Sequence, residues 1–287
     1  MSSTIADQQV AVLQPAMEYL ESWYAGDAER MASALHPELS KRYVRSLGTG
    51  FEYLDECGAS KVIALARSGL GRTIPVEYQR LGVTLLDHGC PNLAVVKAVG
   101  ANGVEYLQVG DFGDRWKIIN ILGEPRAAAP WALPPYESRT LPTGLAEPDE
   151  DTEQIRAVGV DYVEGWITRD WARAVGSVHP SLSKKGPQAD PSGYVFLRSW
   201  QAPKFVWMAT PEWGPAPTGP SKIEVSILDR ASGIASLKVL YGFDANGENP
   251  TGLDYIDAAK CQGRWQGINI VWQVKPMSDY TDRVWDW

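Results

Sequence analysis

The chain predicts an α+β protein made of two tandem domains, each with three N-terminal helices packed on a curved antiparallel sheet. Three observations carry this. The chain repeats itself, as SALHPELSKR at 33–42 against GSVHPSLSKK at 176–185 shows. Each copy opens with helical periodicity. Each then closes with a run of β-branched segments broken by turn residues.

The repeat holds one register over a long stretch. At a shift of 143, Tyr19 falls on Tyr162, Trp23 on Trp166, Asp27 on Asp170, His36 on His179 and Lys41 on Lys184. Gly50/Gly193, Lys61/Lys204 and Ala66/Ala209 continue it without a gap. Later segments match at slightly different shifts: Tyr106 with Tyr255, Trp116 with Trp265, Asn120 with Asn269. The ENPTG at 248–252 reads as a longer hairpin loop in the second copy, an insertion that loop closure tolerates cheaply. These matches give domains at 1–123 and 152–276, a Pro, Gly and acid-rich linker at 124–151, and an aromatic tail at 277–287 that is expected to dock.

In the first copy, Leu13, Met17, Leu20 and Tyr24 make one apolar stripe, and Val12, Ala16, Tyr19 and Trp23 its neighbour. Together they form the wide face of a helix that covers a sheet. Asp27 and Asp170 sit where the second helix needs an N-cap, and that helix stops at His-Pro because the residue before proline is driven out of the helical region. A third helix is expected over 59–69 and 202–212, with Pro203 in the first turn of the latter. GVTLLDHG, NLAVVKAV, EYLQVGDF and WKIINILG then read as a meander of hairpins. Helices followed by one run of strands define the α+β class.

Composition narrows the function. Of 287 residues, 44% are hydrophobic and 22% charged, as in ordinary globular chains. A net charge of −8 argues against a nucleic-acid partner, which needs clustered Lys and Arg. The start MSSTIADQQVAVLQPAM has neither a basic segment nor a continuous apolar core, no apolar run is long enough for a bilayer, and three scattered cysteines fit a reducing cytoplasm. The expected partner is a small molecule, with no membrane, metal or cofactor. HExxH, P-loop and GxSxG patterns are absent, and three scattered histidines make no metal site.

WYAGDAERMASALHPELSKR together with EYLQVGDFGDRWKIINIL resembles the bacterial lumazine-binding branch of the nuclear transport factor two-like (SnoaL-like, cystatin-like cone) superfamily. The resemblance covers both copies. It implies cone-shaped domains with mostly apolar small-molecule pockets, and pairing of the two cones through their open sheet faces as a pseudo-dimer within a monomeric chain. The superfamily hosts dehydratases, isomerases, epoxide hydrolases, cyclases and non-catalytic binders, so fold alone does not decide the chemistry.

YLESWYAGD and YVEGWITRD are similar to the first helix of ketosteroid-isomerase-like members. By that resemblance Tyr19 and Tyr162 would donate a hydrogen bond to a developing oxyanion; otherwise each is a core phenol with a backbone partner. The general-base aspartate of that pattern falls on Tyr43 and Gly186, so isomerase chemistry of that kind is not expected. His36 and His179 could move a proton, or could end the helix and bond nearby backbone. Tyr106 and Gln108 share a strand face, as do Tyr255 and Asp257; if that polar face lines the cone, Asp257 is a carboxylate among aromatics and a candidate base.

The last strands, read as strict alternation, put Trp116, Ile118 and Asn120 on one face and Trp265, Gly267 and Asn269 on its counterpart. Trp23 and Trp166 share the helix stripe of the two tyrosines. Trp171, Trp200 and Trp207 replace Ala28, Cys57 and Ala64, which either shrinks the second cavity or builds an aromatic box for a flat ligand. The functional expectation is a cofactor-free acid–base enzyme of cyclase, isomerase or dehydratase type acting on a ring-containing, aromatic or polycyclic metabolite. The alternative is a binder or scaffold.

Overall fold

The computed structural model describes residues 5–46, 51–125, 149–216, 221–243 and 250–276. The chain divides into two compact units, Met1–Leu86 with Ala94–Asp149, and Asp87–Leu93 with Glu150–Trp287. Of the expected linker, residues 126–148 lie outside the described residues, as does the tail at 277–287.

The first unit begins with α1 (Ile5–Ala25), which presents Val12, Ala16, Tyr19 and Leu20 to the core. The stripe through Tyr19 is therefore the deeper of the two. Asp27 caps α2 (Ala28–Ala34) by accepting from the amides of Glu29 at 3.1 Å and Arg30 at 3.0 Å. Leu35 is already extended, so His36 and Pro37 open a strand.

That strand, β1 (Leu35–Ser46), pairs antiparallel with β2 (Glu52–Cys57) before α3 (Ala59–Arg67). The hairpin was not among the expected strands, because the buried members of SKRYVRS are Lys41 and Arg42 and hydrophobic patterning does not count them. The strands β3 (Gly82–Cys90), β4 (Leu93–Gly100), β5 (Gly103–Asp111) and β6 (Trp116–Pro125) follow. The sheet order is β2-β1-β6-β5-β4-β3, and β1 pairs parallel with β6, so one pairing departs from the expected antiparallel meander.

The second unit repeats this plan with α4 (Glu150–Ile167), α5 (Trp171–Ser177), β7 (Val178–Ala189), β8 (Val195–Gln201), α6 (Ala202–Met208), β9 (Ser221–Arg230), β10 (Ile234–Phe243), β11 (Pro250–Cys261) and β12 (Arg264–Pro276). Asp170 caps α5 through the Arg173 amide at 3.1 Å, and Pro203 occupies the first turn of α6. The order β8-β7-β12-β11-β10-β9 matches the first sheet strand for strand.

One face of each sheet meets the helices. Leu107, Val109, Ile118 and Ile121 join the helix residues in the first core; Ile256, Ala258 and Ile270 do so in the second. A bulge breaks the expected alternation of the last strand. Gln108 pairs with Asn120 but Val109 pairs with Ile118, leaving Ile119 extra. Asp257 likewise pairs with Asn269, and Ala258 with Gly267. Ile118 and Asn120 therefore point to opposite faces, correcting their expected common one.

Candidate functional site

Alternation along β1 sends Lys41 and Tyr43 to the core side, and along β5 it sends Glu105 there, level with Tyr19 on α1. The four meet. Lys41 Nζ donates to Glu105 Oε1 at 2.7 Å and to the Tyr19 hydroxyl; Tyr19 donates to the same carboxylate oxygen at 3.1 Å, and Tyr43 also donates to it. The lysine nitrogen lies 4.9 Å from the Tyr19 ring centre and 5.0 Å from that of Tyr43.

A glycine makes this possible. Glu105 and Tyr43 both register with Gly123 on the strand between them. A Cβ at Gly123 would stand 2.2 Å from Tyr43 Cε1, so the ring lies over the space a side chain would take.

This cluster forms part of the wall of a cavity of about 530 Å³ in the first unit. Leu20, Trp23, Val62 and Leu65 supply apolar wall, Cys57 a thiol, and Lys61 and the Arg45–Asp55 pair charge. Burial and the Glu105 charge push the Tyr19 and Tyr43 phenols well above their ordinary range, so both stay protonated donors. For Lys41, burial favours the neutral amine, but the pull of Glu105 and the phenol oxygens outweighs it and the shift is upward. Burial likewise raises the Cys57 thiol.

The second unit builds the same floor from matching positions. Tyr162 donates to Asp254 Oδ2 at 2.5 Å, and Lys184 donates to that oxygen at 3.0 Å and to the Tyr162 hydroxyl. Here Gly186 replaces the aromatic of β1, and Trp272 on β12 fills the space, its carbonyl oxygen 2.5 Å from where a Gly186 Cβ would be. The second phenol comes from Tyr241 on β10, which donates to Asp254 Oδ1 at 3.4 Å over Gly252. Lys184 is ringed by Tyr162, Trp272 and Trp200, with its nitrogen 4.9, 5.1 and 5.8 Å from their ring centres. Burial lowers its pKa, outweighing Asp254.

Of the residues singled out from the sequence, Tyr19 and Trp23 line the cavity, and Tyr162 holds the corresponding place in the second unit. Trp166 packs against the second core, edge-on to Tyr241 at 6.1 Å. Tyr106, Gln108, Asn120, Tyr255, Asp257 and Asn269 are fully buried, but on the sheet face opposite the helices. The expectation that this polar face lines the cone is thus corrected. Apolar partners such as Leu107 and Ile256 hold the helix-facing positions, and burial of apolar area sets which face turns inward.

Asn120 donates to Gln108 at 2.9 Å, and Ser236 to Asp257 at 2.9 Å. His36 stacks on Phe112 at 4.6 Å and accepts from the Glu38 amide at 3.1 Å, while His179 accepts from the Ser181 amide at 3.1 Å. Both rings serve local backbone, and His36 is not part of the cavity wall. Trp207 is 49% exposed and meets Trp213 edge-on at 5.0 Å, so it belongs to the surface and builds no box with Trp200. Trp200 instead packs inside against Trp272 at 5.0 Å.

Sequence reasoning passed over Lys41, Lys184, Glu105 and Asp254. The signal was present: Lys41 and Lys184 fall within the repeated ten residues, and acidic residues precede both Tyr106 and Tyr255. Among the described residues no three His, Cys, Asp or Glu side chains gather as metal ligands. No described helix is long and apolar enough to cross a membrane.

No protein-family profile matches the chain, and no curated protein is similar to it in sequence. Solved structures are similar to it in fold. An NTF2-like protein of unknown function from Shewanella baltica aligns at 17% identity and TM-score 0.36, over 45% of this chain and 99% of that one. Another from Methylobacillus flagellatus aligns at 19% identity and TM-score 0.36, over 46% and 98%. A ketosteroid isomerase-like protein from Erwinia carotovora atroseptica aligns at 11% identity and TM-score 0.33, over 44% and 97%. With helices packed twice over on a six-stranded sheet of the same strand order, the chain is a tandem of two α+β units of one plan.

Proposed function

We propose that the first unit is a small-molecule binding site, holding a ring-containing ligand against Tyr19, Lys41, Tyr43 and Glu105. The observation that carries this is the cavity of about 530 Å³ whose partly apolar wall meets a buried polar cluster. That size falls in the range of about 300–1,000 Å³ typical of ligand pockets, and a few convergent polar groups in an apolar wall fix a ligand's orientation.

A cofactor-free acid–base reaction of cyclase, isomerase or dehydratase type is the second reading, and Glu105 favours it. It is a carboxylate at the cavity beside one ammonium and two phenols, groups that could take and return a proton. In this reading Glu105 takes the part expected of Asp257. The test is tryptophan fluorescence of the whole chain against a panel of aromatic and polycyclic metabolites, lumazine and flavins included, with mass spectrometry of each mixture. Saturable quenching at unchanged ligand mass supports binding; quenching that fades as a product mass grows supports turnover. Silence across the panel, with Cys57 alkylating at one rate throughout, overturns both.

A further inference from the structure

The second unit carries, in its own chain, a stand-in for a ligand of the first. Position by position, Cys57 corresponds to Trp200, Lys41 to Lys184 and Lys61 to Lys204. The backbone frames match too. Cys57 pairs across the strands with Lys41, and Trp200 with Lys184. Lys61 and Lys204 are each the third residue of the helix that follows, α3 and α6. Within the second unit the Trp200 indole lies among these cations, its ring centre 5.8 Å from Lys184 Nζ and 5.1 Å from Lys204 Nζ, and packs against Trp272 at 5.0 Å.

In the first unit the matching place holds only the small Cys57 side chain. Cys57, Lys41, Lys61 and Tyr43 all line the cavity there. Both ammonium charges act on the thiol, each favouring the thiolate against burial. Tyr43 over Gly123 supplies an aromatic wall, as Trp272 over Gly186 does in the second unit.

From this we infer that the first unit binds a flat, electron-rich aromatic ring of indole type, in the space that Trp200 fills in the second unit and held by Lys41 and Lys61. The inference rests on the pocket reading above and names the ligand class of that pocket. A cation is drawn to the negative face of an aromatic ring, and indole has the strongest face among the side-chain rings. Rings stripped of electron density lose that attraction. The copies differ at one further cation: Arg198, 4.9 Å from the Trp200 ring, is matched by Asp55, which pairs with Arg45 at 3.6 Å. The first unit therefore offers a ring two cations where the second offers three.

The test titrates the whole chain by calorimetry with indole and with tetrafluoroindole, fluorinated on the benzo ring, while alkylation of Cys57 is followed. Fluorination drains the ring face yet makes the ring more apolar, so a merely apolar pocket holds the fluorinated ring at least as tightly. The inference expects the reverse: indole about fivefold tighter, with Cys57 protected. Lys61→Gln, at an exposed position, is expected to remove that preference, and Lys61→Arg to keep it. Cys57→Trp, which writes the residue of the second unit into the first, is expected to abolish indole binding, and Cys57→Ser to retain it. Equal or tighter binding of tetrafluoroindole with Cys57 protected overturns the electron-rich class and leaves the pocket standing. Indole binding that leaves Cys57 unprotected, or that survives in a folded Cys57→Trp chain, overturns the placement. Binding of neither ring overturns the inference, and silence of the fluorescence panel as well removes the pocket reading with it.

Discussion

Lys41 keeps its charge in the core only because Glu105 lies 2.7 Å away. Removing one partner of such a pair strands the other without a counter-charge. Lys41→Met is expected to cost about 3–5 kcal/mol of unfolding free energy, and Lys41→Met with Glu105→Gln to recover most of it. Urea denaturation of the two variants and the parent checks this; equal loss in both would mean the pair does not act as a unit. The pKa shifts predict a pH dependence as well. Tyr19, Tyr43, Tyr162 and Lys41 are all shifted upward by the fold. Above the unfolded values of about 10, the folded chain therefore holds more protons than the unfolded one, and stability falls as pH rises. Lys184, shifted downward, acts oppositely and below that range. Urea midpoints are expected to decline above about pH 10, and less steeply in Tyr162→Phe. Parallel slopes in the two proteins would contradict the shift assigned to Tyr162. None of this was legible residue by residue, because a lysine on a strand reads as solvated until topology puts a carboxylate opposite it.

At the scale of elements, the two units solve one packing problem in reciprocal ways. The first pairs a large residue on β1 with a small one on β6, Tyr43 with Gly123; the second pairs Gly186 on β7 with Trp272 on β12. Gly123→Ala puts a Cβ against a tyrosine ring that can move, while Gly186→Ala meets the Trp272 backbone oxygen at 2.5 Å, which cannot move alone. Both are expected to destabilise by about 1–3 kcal/mol, with Gly186→Ala the worse. Thermal unfolding of the two variants decides it, and the reverse order would contradict the packing account. The helix starts were legible because capping is local: Asp27 precedes its helix in the chain and binds its amides in the fold. Asp27→Ala is expected to cost about 1 kcal/mol. The strand hairpin β1–β2 and the bulge at Ile119 were not legible. The first buries charged residues, and the second is set by the partner strand, which local periodicity does not contain.

For the molecule as a whole, duplication was the strongest signal in the chain, and fold class followed from it because two copies of one element order constrain each other. Function did not follow so directly. The repeat kept tyrosine, lysine and a carboxylate in both floors, yet Lys41, Tyr19 and Tyr43 all meet one oxygen of Glu105, whereas Asp254 accepts on both of its oxygens. Matching the copies reveals what they share, and the chemistry lies in where they differ. One ligand per chain is the corresponding expectation. The most direct measurement is the alkylation rate of Cys57 with and without a saturating ligand from the fluorescence panel, resolved by peptide mass spectrometry, with buried Cys90 and Cys261 as references. A ligand seated on Tyr19, Lys41 and Glu105 must slow Cys57 in proportion to its occupancy and leave the other two unchanged. An unchanged Cys57 rate at an occupancy proven by calorimetry would place the ligand elsewhere and contradict the account.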